Sequence, residues 1–485
     1  MIYQIDFGTD PNCTKFSKVL TCDEMNNIIS IYIDNSTVVG VDSTATAQTK
    51  LDLPYLQSLV VVKRTPVQNI HPMNLMEGLP IKTIITNTYP YPGIVNIEAN
   101  YDLDSLVTLD LTGSLLSGNF PVFAFGCVNI TTFKIRGNLF RYNGMSIPNS
   151  GTSLMTTLTL GLNAGFNLTL ENLPNLISLN VEANLTGPAC LLQLNGGAST
   201  IESVTLTNLV MGQSLHAFFG RFYTNLTSIV VDRVTSTYST NLLLVTFPPA
   251  LRTYIHTQSN LDQFPTSMMG VTHLNISRNI ISKTIPSNES WAGLVTLDAS
   301  NNILMNGEMS KGACTITNIR MVNTTLSKFD DCFRCYYSLT KSWFNSLSLT
   351  PLTTPCPIKL DKTDFKTGKN GATVTLTGQN LGWGQTTSKG LSLVIPNQQF
   401  LYTIPPFQVT SPLSSPNTTI TLHFSDDVST TINVLYDVPY INDAIFSQNS
   451  TSVALELQGT LGTTSASGTT VTAGGYTCDY FRFDQ

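Results

Sequence analysis

The sequence predicts a solenoid of short stacked coils that is followed by a small β-sandwich. Two observations predict the solenoid. Apolar residues recur at the first, fourth and sixth positions of a segment that repeats every 20 to 28 residues from Ile28 to Ile316, and Asn stands at the ninth position of several copies. A third observation predicts the sandwich, because after Pro357 this period ends and short β-type segments alternate with turns.

The stretch VTHLNISRNIISKTIP, residues 271–286, shows the repeat clearly. Val271, Leu274 and Ile276 occupy the first, fourth and sixth positions, and Asn279 occupies the ninth, where its amide can satisfy backbone groups at the turn. The pattern resembles the leucine-rich repeat, and the tail IISKTIP resembles its plant-type form except that Lys283 replaces a glycine. This resemblance implies a parallel sheet on the concave side of the coils and a mostly irregular convex side.

The same template places about 13 coils within residues 28–331. Each coil is too small to fold alone, so it buries its apolar edge against its neighbours. The coils at Ile81 and Leu251 match least well, because Thr86 and His256 fall at a sixth position that we expect to be apolar. The first-position residues are Ile28, Leu56, Ile81, Leu106, Ile130, Met155, Leu176, Ile201, Leu226, Leu251, Val271, Leu294 and Ile316.

Segments that break the period are predicted to cap the two ends of the solenoid. Residues 1–27 alternate like a strand at Ile2, Ile5 and Phe7, which predicts an N-terminal cap. Residues 332–356 contain four aromatic side chains that we expect to cover the last coil, and they form the predicted C-terminal cap. These aromatic residues are Tyr336, Tyr337, Trp343 and Phe344.

Cysteines cluster at these two caps, which favours disulfides and an oxidising compartment. Six of the nine cysteines are disulfide candidates, namely Cys13, Cys22, Cys314, Cys332, Cys335 and Cys356. A zinc site that begins at the C-x-x-C of Cys332 and Cys335 is the weaker alternative, because no second pair with ligand spacing follows. We therefore expect neither a metal nor another cofactor.

Residues 357–440 contain the core GATVTLTGQNLG and, further on, NTTIT. These motifs resemble the IPT/TIG immunoglobulin-like domain, which implies an antiparallel β-sandwich. Residues 441–485 contain VALELQGTLGTT, which is similar to the same core and predicts a partial or abbreviated second module. The matching core residues are Gly371, Val374, Leu376, Gly378, Asn380, Leu381 and Gly382.

Positions three, five, seven and eight of each coil are expected to face solvent from the concave sheet. An apolar patch on the first three coils and charges near the centre are the candidate ligand contacts. The alternative for each residue is a solvated side chain on an exposed sheet. The candidates are Tyr32, Val60, Val62, Ile85, Asp110, Lys134, Arg136, Asn180, Glu182, Asp232, Arg233 and His273.

Composition and motifs argue against several classes of function. The net charge of −6 and the lack of a Lys/Arg run argue against nucleic-acid binding. No sequence stretch is long and apolar enough for a transmembrane helix, and residues 1–30 do not read as a signal peptide. No phosphate loop, nucleophile with its base or paired carboxylates is recognisable, so we expect no catalytic residues and no enzyme.

Eleven N-x-S/T sequons occur in this chain, which is rich in Asn, Ser and Thr. Asn184 falls at an inward-facing ninth position and is expected to be structural. Asn167, Asn288 and Asn417 fall in loop-like stretches and are the glycosylation candidates.

The predicted architecture and the composition together resemble the large cell-surface proteins of social amoebae, which combine irregular leucine-rich repeats with IPT/TIG modules. The resemblance implies an extracellular recognition or adhesion ectodomain that binds a protein or glycan ligand through the solenoid, with homophilic or heterophilic assembly. It also implies that the membrane is reached through an anchor outside this sequence, with the sandwich as a spacer or second contact. A secreted leucine-rich-repeat inhibitor of polysaccharide-degrading enzymes and a parallel β-helix enzyme acting on polysaccharide are the alternatives.

Overall fold

The computed structural model describes most of the repeats and the sandwich. The described residues are 19–33, 54–62, 79–87, 105–141, 154–162, 167–171, 173–183, 189, 191–195, 200–212, 218–219, 224–236, 247–265, 270–282, 285, 291–408, 416–437, 440–448, 453–460, 472–473 and 476–477. The chain forms two compact units. The first comprises Met1–Gly312, Asn318–Lys328 and Trp343–Ser346, and the second comprises Ala313–Thr317, Phe329–Ser342 and Leu347–Gln485.

The first unit is built from short strands, most of them three to six residues long. In chain order they are β1 (Leu20–Cys22), β2 (Ile28–Ile33), β3 (Ser58–Val61), β4 (Thr83–Ile85), β5 (Thr108–Asp110), β6 (Ser117–Asn119), β7 (Thr132–Lys134), β8 (Leu139–Arg141), β9 (Thr157–Leu162), β10 (Asn167–Glu171), β11 (Ser178–Ala183), β12 (Leu191–Asn195), β13 (Ser203–Thr207), β14 (Val210–Met211), β15 (Ser228–Asp232), β16 (Thr235–Ser236), β17 (Thr253–Thr257), β18 (His273–Asn275), β19 (Thr296–Asp298), β20 (Glu308–Met309), β21 (Asn318–Arg320) and β22 (Lys328–Phe329).

One 14-stranded sheet runs through the solenoid in the order β1-β2-β3-β4-β5-β7-β9-β11-β13-β15-β17-β18-β19-β21. Strand β1 pairs antiparallel with β2, and each later pair is parallel. Leu274 lies opposite Leu297, which lies opposite Ile319, in adjoining strands. The predicted β-solenoid with one long parallel sheet is therefore confirmed.

The apolar edge of each coil forms a continuous core. All 13 predicted first-position residues are at most 8% exposed, and the fourth-position residues from Ile31 to Ile319 are equally buried. Burying one such aliphatic side chain stabilises the fold by about 1.5–3 kcal/mol, so the stacked rows are the main source of stability.

Asn279 shows how a ninth-position side chain links neighbouring coils. Its Nδ2 donates to the carbonyl of Ile276 (2.9 Å) and to that of His256 in the preceding coil (2.6 Å). Its Oδ1 accepts the N–H groups of Ser259 (2.9 Å) and Leu261 (3.2 Å), also in the preceding coil. Asn138 and Asn302 make the equivalent bonds, so the predicted role of the ninth-position Asn is confirmed.

The two poorly matching coils keep the register, because their polar sixth-position residues find partners inside the core. Thr86 and His256 are fully buried. The Thr86 hydroxyl lies 3.2 Å from the Ser114 hydroxyl, which donates to the Thr86 carbonyl. The Tyr254 hydroxyl lies 2.7 Å from Nδ1 of His256.

The convex side is more regular than the predicted irregular chain. Among the described residues, four two-stranded sheets lie there, pairing β6 with β8, β10 with β12, β14 with β16 and β20 with β22, and the first three pairs are parallel. Two 3-10 turns, Val122–Phe125 and Lys311–Thr315, also lie between strands of the long sheet. Convex segments pair because coils of nearly equal length bring their backbones into contact. Ile2, Ile5 and Phe7 of the predicted N-terminal cap lie outside the described residues.

The second unit contains helix α1 (Asp331–Cys335), the first part of helix α2 (Tyr337–Phe344) and further strands. The strands are β23 (Lys359–Leu360), β24 (Asp364–Gly368), β25 (Ala372–Gln379), β26 (Leu391–Ile395), β27 (Gln399–Ile404), β28 (Asn417–His423), β29 (Ser429–Asp437), β30 (Tyr440–Gln448), β31 (Val453–Thr460), β32 (Thr472–Ala473) and β33 (Tyr476–Thr477).

Two small sheets form the sandwich, with the orders β23-β25-β27-β26 and β24-β29-β28. Their alternating apolar residues are buried between them, and the rings of Phe400 and Phe424 lie 5.3 Å apart. Strand β24 pairs parallel with β29, which differs from the wholly antiparallel sandwich that we expected. Strands β24 and β25 follow each other through a tight turn at Gly371, but they belong to different sheets and do not pair. Strand β24 therefore pairs with β29 instead. After residue 440, β30 pairs with β31 and β32 with β33.

The predicted C-terminal cap is divided between the two units. Trp343 and Phe344 belong to the solenoid unit, where the Trp343 carbonyl accepts the Met321 N–H just after β21 (2.7 Å). Tyr336 belongs to the sandwich unit, where its hydroxyl donates to the Asn380 carbonyl (2.9 Å). Tyr336 is buried and its ring lies 5.9 Å from that of Trp383, so the aromatic residues of the predicted cap are divided between the two units.

Side-chain hydrogen bonds from the sandwich to the turn before β21 lie within the second unit. The indole N–H of Trp383 donates to the Ile316 carbonyl (2.8 Å), and Trp383 stacks on Phe333 with ring centroids 5.6 Å apart. Buried Asn397 donates from Nδ2 to the Cys314 carbonyl (2.8 Å). The cap segment and the sandwich therefore share one core.

Candidate ligand-binding face

The fifth position of each coil forms a continuous row on the solvent face of the long sheet. Strand register places each member directly opposite the next, as the sequence predicted. Parallel neighbours stand about 4.8 Å apart, so a ligand strand or loop could contact several coils at once. The row is Tyr32, Val60, Ile85, Asp110, Lys134, Thr159, Asn180, Thr205, Val230, Ile255, Asn275, Asp298 and Arg320.

The apolar patch is formed by Tyr32, Val60, Ile85 and the nearby Val62. Tyr32 is 43% exposed, and the three aliphatic residues are half-buried. Register places Tyr32 opposite Val60 and Val60 opposite Ile85. The structure therefore brings together an exposed aromatic ring and aliphatic neighbours at one end of the row.

The charged candidates form pairs along the middle of the face. Asp110 lies 3.9 Å from Lys134, and Arg136 forms an ion pair with Glu182. Arg233 Nε donates to the carboxylate of the preceding residue, Asp232 (3.0 Å). Pairs whose basic side chain is exposed, as in these three, contribute little to stability, about 0–1 kcal/mol each. They leave the face nearly neutral while offering donors and acceptors to a ligand.

Asn180 and His273 lie on the same face but apart from these pairs. Asn180 is half-buried between Thr159 and Thr205 in the row. His273 is exposed at a third position, with Nδ1 2.8 Å from the hydroxyl of Thr272. Neither residue joins a cluster that could perform acid–base chemistry in the described part of the face.

The eighth position, which we expected to face solvent, forms a second row in which only Arg233 was predicted as a ligand contact. Residues there adopt the left-handed conformation at the end of the sheet strands, and they include the exposed side chains of Arg233, Gln258 and Arg278. Gly and Asn at the eighth position of other coils were the signal that could have revealed this turn.

Disulfides bond most of the cysteine candidates. Cys314 bonds to Cys332 and Cys335 to Cys356, so the two cysteines of the C-x-x-C motif belong to different disulfides rather than to one zinc site. Cys22 is also disulfide-bonded, and Cys13 lies outside the described residues. Structural disulfides are typical of oxidising compartments.

The helices of the described segments are all too short or too polar to cross a lipid bilayer.

The glycosylation candidates are located differently from the loops that we expected. Asn167 and Asn417 are the first residues of strands β10 and β28, and Asn417 is exposed. Asn288 and Asn184 lie outside the described residues. Two exposed sequon residues that we did not single out, Asn129 and Asn225, stand directly before a first-position residue.

Several solved structures are distantly similar to this chain, including a receptor kinase and an internalin. No protein-family model matches the sequence, and no curated protein matches it. The Arabidopsis receptor kinase HAESA, solved with the peptide hormone IDA and a co-receptor, is 17% identical with a TM-score of 0.34 over 63% of this chain. An internalin of Listeria monocytogenes is 12% identical with a TM-score of 0.37 over 69% of this chain and 92% of its own.

The match spans 60% of the receptor kinase chain. Both TM-scores are low, so we base neither fold nor function on these likenesses. The fold assignment follows from the sheet order and the strand register.

Proposed function

We propose that this chain is an extracellular recognition ectodomain that binds a protein ligand through the solvent face of its long parallel sheet. The observation that carries the proposal is the apolar patch at Tyr32, Val60 and Ile85 in a row of otherwise mostly polar residues. Tyr is enriched at binding hot spots, because it supplies a large apolar area and a hydroxyl at a low cost in conformational entropy.

The repeat geometry supports membership of the leucine-rich-repeat class. Buried residues at positions one, four and six and the hydrogen-bonded Asn at position nine are the features that this class requires. We propose that residues 357–440 are an IPT/TIG-like module that acts as a spacer or second contact, and residues 441–485 a partial second one. The combination fits a cell-surface adhesion protein of the social-amoeba type, which would be membrane-attached through an anchor outside this sequence.

The disulfides support an extracellular location. Cys314–Cys332 and Cys335–Cys356 close loops with sequence separations of 18 and 21 residues, each of which can stabilise the fold by about 3 kcal/mol. Such bonds persist outside the reducing cytosol.

A cell-binding assay with the soluble, disulfide-bonded chain tests the proposal. We expect saturable binding to cells of the native source, loss of that binding after protease treatment of the cells, and inhibition of cell aggregation. The double variant Tyr32→Ser and Val60→Thr should weaken binding by about tenfold or more, because it removes the hot-spot ring and apolar contact. Met25→Ser is the matched control, because Met25 is exposed but lies in the turn before β2.

Three results would contradict the proposal. The double variant could bind cells as well as the wild type does. Binding could resist protease and disappear after glycosidase treatment, which would indicate a glycan ligand. Saturable binding to purified polysaccharide-degrading enzymes, without binding to cells, would indicate the secreted inhibitor instead.

A further inference from the structure

Among the described residues, the eighth position of the coil is a left-handed turn in eight coils. The residues there have φ values between 52° and 73°. Gly and Asn are the residues that adopt this conformation with little strain, and they fill the position in five of the eight coils. The eight residues are Gly113, Gly137, Asn208, Arg233, Gln258, Arg278, Asn301 and Asn323.

Three consecutive coils depart from this rule with long side chains. Arg233 has a φ of 53°, Gln258 of 52° and Arg278 of 58°, and all three are exposed. A non-Gly residue in the left-handed region costs on the order of 1 kcal/mol, which Gly or Asn would largely avoid. Because the same turn forms with Gly or Asn elsewhere in the solenoid, the fold itself does not require these three side chains.

Aliphatic residues lie on the sheet beside this turn. Val230 and Ile255 stand opposite each other in the fifth-position row and are half-buried. Arg233, Gln258, Arg278, Val230 and Ile255 are called the arginine patch below.

Within the part of the chain that the structure describes, one guanidinium of the arginine patch has no ion-pair partner. Asp232 is engaged by Arg233 (3.0 Å), by the Thr257 hydroxyl (2.7 Å) and by Gln258 Nε2 (3.3 Å). Within the described residues, the guanidinium of Arg278 has neither an ion pair nor a side-chain hydrogen bond, whereas Lys134, Arg136, Arg233 and Arg320 on the same face each lie beside a carboxylate.

We propose that the arginine patch binds a carboxylate-bearing peptide segment of the protein ligand, with Arg278 as the carboxylate receptor. This inference rests on the proposed function. The planar guanidinium can donate two parallel hydrogen bonds to one carboxylate. Val230 and Ile255 cover an apolar side chain next to the acidic residue, which gives the apolar centre and polar rim of a protein interface.

The charge of the patch favours a peptide over a polyanionic glycan. Its two guanidiniums and the carboxylate of Asp232 leave a single net positive charge, which one Asp or Glu side chain neutralises. A sulfated oligosaccharide would place further anions against Asp232 and repel it.

Selection from a bead-displayed library of random seven-residue peptides, using the fluorescent full-length chain, tests the inference. We expect selected peptides to be enriched in Asp or Glu beside an aliphatic residue. Arg278→Gln should weaken the Kd of the best peptide by about tenfold or more, and replacing the acid of that peptide with its amide should have the same effect. Gln258 shows that Gln is accommodated in this turn, so the variant keeps the fold, as an unchanged melting temperature would verify.

Arg320→Gln is the matched control, because Arg320 lies on the same face but beside Asp298 (4.0 Å). Peptides without an acidic preference, no selected peptide at all, or equal losses from Arg278→Gln and Arg320→Gln would overturn the inference. Binding of a heparin-like oligosaccharide that depends on Arg278, without peptide binding, would also overturn it. In each case the cell-binding assay with the Tyr32 variant still decides the proposed function separately.

Discussion

At the scale of single residues, buried polar side chains hold the coils in register. Asn279 forms hydrogen bonds with five backbone groups of its own and the preceding coil, and these bonds are buried. A buried backbone group without a partner costs about 1–3 kcal/mol. The ninth-position Asn therefore specifies where the chain leaves the sheet, and hydrophobic burial alone does not.

Asn279→Ala is expected to destabilise the solenoid by at least about 3 kcal/mol, because several buried groups lose their partner together. Amide hydrogen exchange at Ser259 and Leu261 should accelerate, because their N–H groups donate to Asn279 Oδ1. Asn180→Ala is the control, since Asn180 lies on the solvent face, and it should change stability by less than about 0.5 kcal/mol. Unchanged exchange at Ser259 and Leu261 would contradict the role assigned to Asn279.

The Tyr254–His256 pair makes stability depend on pH. Burial lowers the pKa of His256 to about 3 from its usual 6.5. Below pH 6.5 the unfolded chain binds a proton that the folded chain does not accept until about pH 3. Stability contributed by this site is therefore complete above pH 6.5 and decreases by up to about 1.4 kcal/mol per pH unit as the pH falls through this window.

The double variant Tyr254→Phe and His256→Leu should remove this dependence, because it leaves neither a titrating imidazole nor an unpartnered buried hydroxyl. Melting temperatures between pH 7 and pH 4 measure the slope. Tyr254→Phe alone is the control and should retain it. An equal slope in the wild type and the double variant would assign the acid sensitivity to other groups.

At the scale of elements, each parallel strand gives the sheet a leading rim, where the chain enters the strands, and a trailing rim, where it leaves them. Asn129 and Asn225 stand on the leading rim, each directly before a buried first-position residue. On the trailing rim, Leu115, Leu139, Ile280 and Ile303 are 47–67% exposed. Exposed apolar side chains also stand on the leading rim, where Tyr55 and Leu154 directly precede first-position residues and are 54% and 47% exposed.

We expect N-glycans on Asn129 and Asn225, because both are exposed and a glycan on the leading rim leaves the binding face free. Asn275 should be bare, because it stands in the fifth-position row of that face. Mass spectrometry of peptides from native-source protein, after enzymatic release of glycans, measures each occupancy. A glycan at Asn275, with Asn129 and Asn225 unmodified, would contradict the proposed binding face.

The elements also show which features the sequence could predict. Burial of Leu274, Leu297 and Ile319 follows from periodicity, because only one register places every apolar residue inside. The fifth-position row follows from the same register. The left-handed turn at Arg233, Gln258 and Arg278 follows only indirectly, from Gly and Asn at the eighth position of other coils, since Arg and Gln themselves rarely adopt that conformation.

At the scale of the whole molecule, two compact units divide the chain at a different place from the change in sequence pattern. The turn at 313–317 and the cap residues 329–342 belong with the sandwich. The sequence could not predict this, because Trp383 and Asn397 donate their hydrogen bonds to backbone carbonyls. A backbone carbonyl accepts such a bond whatever its own residue type is. Disulfide connectivity could not be predicted either, since four clustered cysteines allow three pairings.

The fold and the proposed binding face both depend on the side-by-side order of the exposed row, and cysteine cross-linking measures that order directly. Thr159 in β9 lies opposite Asn180 in β11, whereas the next residue, Val181, points into the core. A bifunctional thiol reagent that spans about 5 Å should join Thr159→Cys to Asn180→Cys within one chain, as peptide mapping would show. It should not join Thr159→Cys to Val181→Cys. Cross-linking of the second pair without the first would mean a register shifted by one residue, which would turn the proposed binding face into the core and contradict the account.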